Sequence, residues 1–306
     1  MHLKSPSPPT SFLVTGWQTH WASLLALALE LGAVAWYLLM VRRVVAAGAR
    51  WPLVRSAVFV LGMVVVAYGF EGGLSVYDRD NFTAHVVQLF LLVDVAPPLL
   101  AFGAPLRLGA QAPGLLRPVA LWCARSRLVA AATHPVVVFA AYMLTLYVYF
   151  LTPVYRFSML HPPFLGYVQV QFLVSGVLMW SVVIGRDALP RHVGFGRRFV
   201  MVFAAIPFLA YLGIVLGGLQ SPLYPAANTL HDTRTGGDAL WALAEVFVVA
   251  MLAYLFVEWA RDEERRALVS DQRMVSTMAE AQRAPEQLGG EPEQGSPVCT
   301  PGAGQS

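Results

Sequence analysis

The stretch FTAHVVQLFLLVDVAPPLLAFGAP, which occupies residues 82–105, decides the fold class of this chain. Its one charged side chain is Asp94. A helix of about 20 mostly apolar residues crosses the hydrocarbon core of a bilayer, because lipid offers the backbone no hydrogen-bond partner outside the helix. We therefore predict a membrane-spanning helix at 83–104.

The rest of the chain repeats this pattern. Its composition is 57% hydrophobic and 13% charged, whereas soluble domains carry about 25% charged residues. The segments that are long and apolar enough to span lie at 20–41, 52–70, 83–104, 130–151, 164–184, 199–219 and 239–259. The sequence thus predicts an all-α polytopic membrane protein, with a seven-helix transmembrane bundle at 19–268.

The basic residues predict the orientation of this bundle. Arginines crowd the connections after the first, third and fifth spans and the segment after the seventh, whereas the opposite side holds Lys4, Arg79, Arg156 and Arg234. By the positive-inside rule we expect a plasma-membrane protein with residues 1–18 outside and the C-terminus in the cytoplasm. Residues 269–306 are rich in Gly, Pro, Glu and Gln near the end, and this composition predicts a disordered cytoplasmic tail.

Three carboxylates fall inside predicted spans, namely Glu30, Asp94 and Glu245. A charge at mid-membrane costs about 2.5 to 3.5 kcal/mol on insertion scales, so each one calls for a structural or functional reason. Asp94 precedes Pro97 and Pro98, which leave backbone carbonyls without their usual donors. Two interpretations stay open: a protonated Asp94 donates to a freed carbonyl, or it serves a proton or metal.

The histidines offer candidate metal ligands, since imidazole suits copper, zinc and iron. His85 stands one turn inside the third span, with Gln88 three residues later on the same helical face. Its alternative role is to cap or pack the outer end of that helix. His161 and His231 lie in predicted outer loops, where a solvated histidine is the commoner case.

The sequence gives no sign of soluble enzyme chemistry. It contains no phosphate-cradling glycine loop, no GxSxG and no HExxH, and we expect a protein that is not an enzyme. The net charge of +3 is too small to indicate nucleic acid as a partner.

Residues 82–105 resemble the HMxQHxLLxxxAPPLLxLGxP signature of the CtaG-type cytochrome c oxidase assembly factors. Further likenesses follow in the same order along the chain, and the last two resemble the actinobacterial branch of the family. They lie at His134-Pro135, Thr152-Pro153, 172–191, Pro207-Phe208, 232–245 and 259–265.

The resemblance implies a seven-helix membrane protein that assists the assembly of haem-copper cytochrome c oxidase, with a role in copper delivery. Its expected partners are oxidase subunits or other assembly proteins, within the lipid bilayer. It also implies a structural role for a set of motif residues: Pro97, Pro98, Gly103, Pro105, Asp232, Gly236, Gly237 and Trp241.

The sequence departs from the family pattern at three histidine positions, which are Leu89, Gln171 and Leu209 here. The remaining candidate copper ligands are His85, Gln88, Gln171 and His161, and amide oxygens are poor ligands for Cu(I). We therefore expect a partly degenerate metal site. Two alternatives remain: a small-solute or metal permease that uses the three intramembrane carboxylates as pathway residues, and a structural paralogue without metal chemistry.

Overall fold

The structure is a computed structural model that describes residues 16–114, 117–225 and 228–288. These residues form helices joined by short connections, and no strand occurs among them. In chain order the helices are α1 (Trp21–Ala46), α2 (Leu53–Glu71), α3 (Gly73–Tyr77), α4 (Phe82–Phe90), a π-helix (Leu91–Val95), α5 (Ala96–Phe102), α6 (Pro105–Gln111), α7 (Arg117–Arg125), α8 (Arg127–Ala132), α9 (Pro135–Leu151), α10 (Val154–Leu160), α11 (Pro162–Ile184), α12 (Phe195–Gly217) and α13 (Leu230–Leu288). The predicted all-α class is confirmed.

Within the described residues, six helical stretches are long and apolar enough to cross a membrane, and a seventh is obtained if α9 and α10 count as one bent span. These two helices meet at a 70° bend. The fourth span begins at Pro135 rather than at 130, because the His134 side chain accepts the amide of Val136 and caps α9 separately from α8. The count of six to seven agrees with the expected polytopic bundle.

The third span changes its helical form where the proline pair enters. Pro97 has no N–H to give to the carbonyl four residues earlier, that of Val93. The Trp180 indole N–H from α11 donates to this carbonyl instead, at 3.1 Å. Gly176 lies directly against the same carbonyl, where a Cβ atom would collide. The π-helix at Leu91–Val95 is thus held by a neighbouring helix.

The donor seen at the freed Val93 carbonyl is thus Trp180, and the two interpretations of Asp94 stay predictions. Asp94 is buried, and its Oδ1 atom accepts the Tyr142 hydroxyl of α9 at 2.6 Å. The indole of Trp180 was not anticipated as the donor because it is 87 residues away along the chain.

A smaller apolar cluster joins α1, α2 and α6. The rings of Tyr37 and Phe59 stack with centroids 3.9 Å apart, and the Tyr37 hydroxyl donates to the Gly103 carbonyl at 2.9 Å. A Cβ atom at Gly103 would stand 2.7 Å from that of Phe59, so only glycine permits this approach. Asp187 accepts the amide of Arg107 at 2.7 Å and stabilises the start of α6.

The first turns of α13 bind the start of the third span. The Asp232 carboxylate accepts the backbone amides of Phe82 at 2.6 Å and Thr83 at 3.2 Å. Gly236 lies against the Phe82 ring, and a Cβ atom at Gly237 would stand 2.7 Å from the amide nitrogen of Gly217 in α12. The motif residues of this segment therefore allow close packing of three helices.

The chain divides into two compact units after Leu255. In the second unit, α13 continues to Leu288, and the side chains at 261–275 are exposed. Residues 269–288 continue α13 in the structure, since Ala, Glu, Arg, Gln and Met favour helix, and the expected disorder of the tail stays a prediction. The rest of the expected tail, 289–306, and residues 1–15 lie outside the described residues.

Candidate functional site

His85 is fully buried on α4. Its Nε2 atom lies 2.7 Å from the Tyr149 hydroxyl of α9, and this hydroxyl lies 3.1 Å from the Ser158 Oγ of α10. The Nδ1 atom of His85 is buried without a hydrogen-bond partner. One ring nitrogen is thus engaged by a phenol, and only the other is available to a ligand.

Gln88 lies beside His85 on the same helix and is also fully buried. Its amide nitrogen donates to the Gly69 carbonyl of α2 at 2.8 Å, and its Oε1 atom has no partner. The structure therefore places His85 and Gln88 together, as the sequence spacing indicates.

The other two candidate ligands lie elsewhere. His161 is exposed, and its ring stacks against Phe157 with centroids 4.0 Å apart. Gln171 is half-buried and has no hydrogen bond among the described residues, whereas Gln169 is buried and donates to Asp78 Oδ2 at 3.2 Å. No group of three or more His, Cys, Asp or Glu side chains in the described part of the chain is placed to hold a metal ion.

Two of the three positions that lost histidine relative to the family pattern come together in the core. Leu89 and Leu209 line one void of about 10 Å³ between the third, fourth, fifth and sixth spans and α13, and Phe172, which follows Gln171, lines it too. At this volume the void has at most the room that one water needs, and its lining is apolar apart from Asp94. A copper ion needs several imidazole or sulfur donors, and the residues present do not supply them.

The three intramembrane carboxylates do not share a path. Asp94 lines the small void and is bound by Tyr142. Glu30 lines a separate cavity of about 300 Å³ between α1, α2, α5 and α11. Glu245 is exposed on the surface of α13. The permease alternative requires these groups to line one route, and their placement gives it no support.

The structure reveals a polar cluster that sequence reasoning missed, at the end of the bundle near His85. It contains Glu71 at the end of α2 and Asp78 in the connection to α4, both buried. Burial raises the pKa of Asp78 from 3.8 to about 7, against the lowering effects of Arg79, Gln88 and Gln169. The acid-rich run EGGLSVYDRD at 71–80 was the available signal, but its position between two spans made it look like an ordinary connection.

A cavity of about 980 Å³ opens beside this cluster. Glu71, Asp78 and Gln169 line its inner part, and Trp17 and Trp21 lie at its rim. It is larger than both the small void and the cavity at Glu30.

The fold and this arrangement define a class of protein, the polytopic helical membrane proteins. In this one a proline pair interrupts the third span, and Asp232, Gly236 and Gly237 pack the start of the last helix against its neighbours. Residues 35–262 match the family described as cytochrome c oxidase caa3 assembly factor (Caa3_CtaG). The chain belongs to that family.

Relatives among curated proteins come from mycobacteria. The chain is 27% identical to an uncharacterized protein of Mycobacterium bovis over 90% of its own length, and to one of Mycobacterium leprae over 83%. These alignments cover 44% and 41% of the relatives, so the chain spans less than half the length of the curated proteins it matches. No solved structure matches.

Proposed function

We propose that this protein assists the assembly of haem-copper cytochrome c oxidase as a non-enzymatic, membrane-embedded protein with a partly degenerate metal site. Family membership supports the role in oxidase assembly. The oxidase subunits or other assembly proteins are then its partners. We place it in the cell membrane with the N-terminus outside, on the arginine asymmetry of its short connections.

One observation carries the proposal that the metal site is degenerate. Leu89 and Leu209 occupy histidine positions of the family pattern, and both line the same small void. His85 remains, but Tyr149 holds one of its nitrogens. In contrast, the contacts of Asp232, Gly103 and Gly237 that pack the helices are intact. A scaffold that is kept while ligands are lost favours protein binding over copper ligation.

A deletion strain tests this proposal. Deletion is expected to lower the haem absorbance of the oxidase, and wild type and His85→Ala are both expected to restore it. Asp232→Ala removes the hydrogen bonds between α13 and the start of α4, and it is expected to restore less of the haem absorbance. Normal oxidase with altered cellular metal content would contradict assembly and favour transport. Failure of His85→Ala to restore the absorbance, at normal protein level, would contradict degeneracy.

A further inference from the structure

The large cavity is walled by four elements at one end of the bundle. These are the start of α1, the end of α2, α3 with the connection that follows it, and the start of α11. Gln18 joins the first three walls, because its backbone amide donates to the Glu71 carbonyl at 2.8 Å and its side chain donates to the Ser75 carbonyl at 2.7 Å. The cavity is thus a built feature with hydrogen-bonded walls.

Glu71 is the group in these walls that lacks a partner. Its side chain is 2% exposed and lines the cavity, and its Oε2 atom has no hydrogen bond. The charged side chain that interacts electrostatically with Glu71 is Glu30, which is another carboxylate. A buried carboxylate without a donor or a counter-charge is costly, and a cation in the cavity would remove that cost.

Charges of both signs line the cavity. Asp78 adds a second buried carboxylate, and Arg79 is exposed at the same cavity. Trp17 and Trp21 are 48% and 79% exposed at the rim, where indole rings commonly meet lipid headgroups and cations. The lining therefore complements a ligand with one cationic and one anionic group.

An apolar cavity adjoins the large one. Ala26, Phe70 and Val170 line both the large cavity and the cavity of about 300 Å³ next to it. Of the described residues that line the second cavity, Glu30 alone is charged, and the others include Leu29, Met63, Leu100 and Leu173. A chamber that holds Glu71, Asp78 and Arg79 among apolar side chains, beside an apolar groove between spans, matches an amphiphile.

We propose that the two cavities form one binding site for a phospholipid with a primary-ammonium headgroup, of the phosphatidylethanolamine class. The ammonium group lies against Glu71 and Asp78, the phosphate lies against Arg79, and an acyl chain passes Ala26 into the groove. This assignment is independent of the proposed function in oxidase assembly.

A metal ion fits these cavities less well. The volume is far larger than an ion needs, and the described residues contain no group of three or more His, Cys, Asp or Glu side chains suited to one. A primary ammonium differs from the quaternary ammonium of a choline lipid, because it can donate N–H bonds to the two carboxylates.

Native mass spectrometry of the purified full chain in detergent tests the proposal. The probes are phosphatidylethanolamine, phosphatidylcholine and phosphatidylglycerol of identical acyl chains, together with water-soluble phosphoethanolamine. We expect the ethanolamine lipid to bind most tightly, and Glu71→Gln to weaken that binding about tenfold, as the loss of one charge-assisted bond does. Glu245→Gln is the matched control, because it makes the same change at an exposed position outside the cavities.

Leu173→Trp distinguishes the acyl groove from the headgroup chamber, because Leu173 lines the groove and not the large cavity. The larger side chain fills the groove, so it should weaken binding of the lipid and leave binding of phosphoethanolamine unchanged. Equal binding of the three lipids, or an unchanged affinity in a folded Glu71→Gln variant, would overturn the headgroup site. Binding of phosphoethanolamine as tightly as the lipid would overturn the role of the groove.

Discussion

At the scale of single residues, Asp78 makes stability depend on pH. Its pKa is raised from 3.8 to about 7 because burial disfavours the charged carboxylate. An acid whose folded pKa is raised stabilises the fold fully below its ordinary pKa, and that contribution is lost as pH rises through 7. In lipid-free detergent, the unfolding temperature of wild type should therefore fall between pH 5 and pH 8.

The variant Asp78→Asn should flatten this dependence, since an amide does not ionise. Asp80→Asn is the control, because Asp80 is exposed two residues away. The groups that face Asp78 are Arg79, Asp80, Gln88 and Gln169. The same slope in Asp78→Asn and wild type would show that another group titrates.

Leu89 and Leu209 give a prediction about copper. Purified wild type should bind Cu(I) weakly, because His85 is the one imidazole retained among the family positions. The double variant Leu89→His/Leu209→His places two imidazoles at one void beside His85 and should bind about one equivalent tightly. Copper titration with a colorimetric competitor measures the difference.

The matched control is Leu89→Asn/Leu209→Asn, which adds polarity without imidazole. Tight stoichiometric binding by wild type that survives His85→Ala would contradict the degenerate site. It would direct attention to the exposed His161 and His231 instead.

The sequence predicted some of the site and missed the rest for a clear reason. His85 and Gln88 are three residues apart on one helix, so helical geometry alone brings them together. The sequence favoured Gln171 over Gln169, because the face of α11 that is buried depends on how the helix is rotated against its neighbours. Sequence alone does not give that rotation. Glu71 and Asp78 become a cluster only when α1 and α11 close over them, and that contact is not local in sequence.

At the scale of elements, the bond from Trp180 to the Val93 carbonyl should hold the π-helix in place. Trp180→Phe keeps most of the apolar contact but leaves that carbonyl buried without a donor. The expected cost is about 1 to 3 kcal/mol of unfolding free energy. Thermal unfolding in detergent, followed by circular dichroism, measures it.

Trp122→Phe serves as the control, because Trp122 is 59% exposed. It should change the unfolding temperature little. Equal losses in the two variants would mean that indole volume matters at both sites and that the hydrogen bond contributes nothing measurable.

Helix existence was predictable from the sequence, while helix shape was not. Long apolar runs place the spans, and the proline pair marks an interruption at Pro97. Whether a helix kinks, widens or breaks depends on the donors that neighbours supply, here Trp180 from a distant segment. The bend between α9 and α10 likewise follows Thr152-Pro153, but its 70° angle is set by packing.

At the scale of the whole molecule, the arginine asymmetry predicts orientation. Reporter fusions placed after residue 268 should be active as a cytoplasmic reporter and silent as an exported one. Fusions in the connection after α10 should show the reverse. A C-terminus detected outside the cell would overturn the orientation and move the headgroup chamber to the inner leaflet.

Truncation after residue 270 should leave the membrane bundle folded. Of the residues that are removed, the side chains at 271–275 are exposed, so their removal takes away no buried contact. Size-exclusion chromatography of the detergent-extracted variant should give a monodisperse peak like that of wild type. Aggregation of the truncated protein alone would show that this segment supports the fold.

Helix α9 is hydrogen-bonded to the third span at two levels, through Tyr149 to His85 and through Tyr142 to Asp94. These tyrosines are seven residues apart, which is about two helical turns. Sliding or rotating α9 along the third span would break both hydrogen bonds at once. The two helices are therefore expected to move together. Movement of α9 at the level of His85 is therefore expected to move its contact with Asp94 as well.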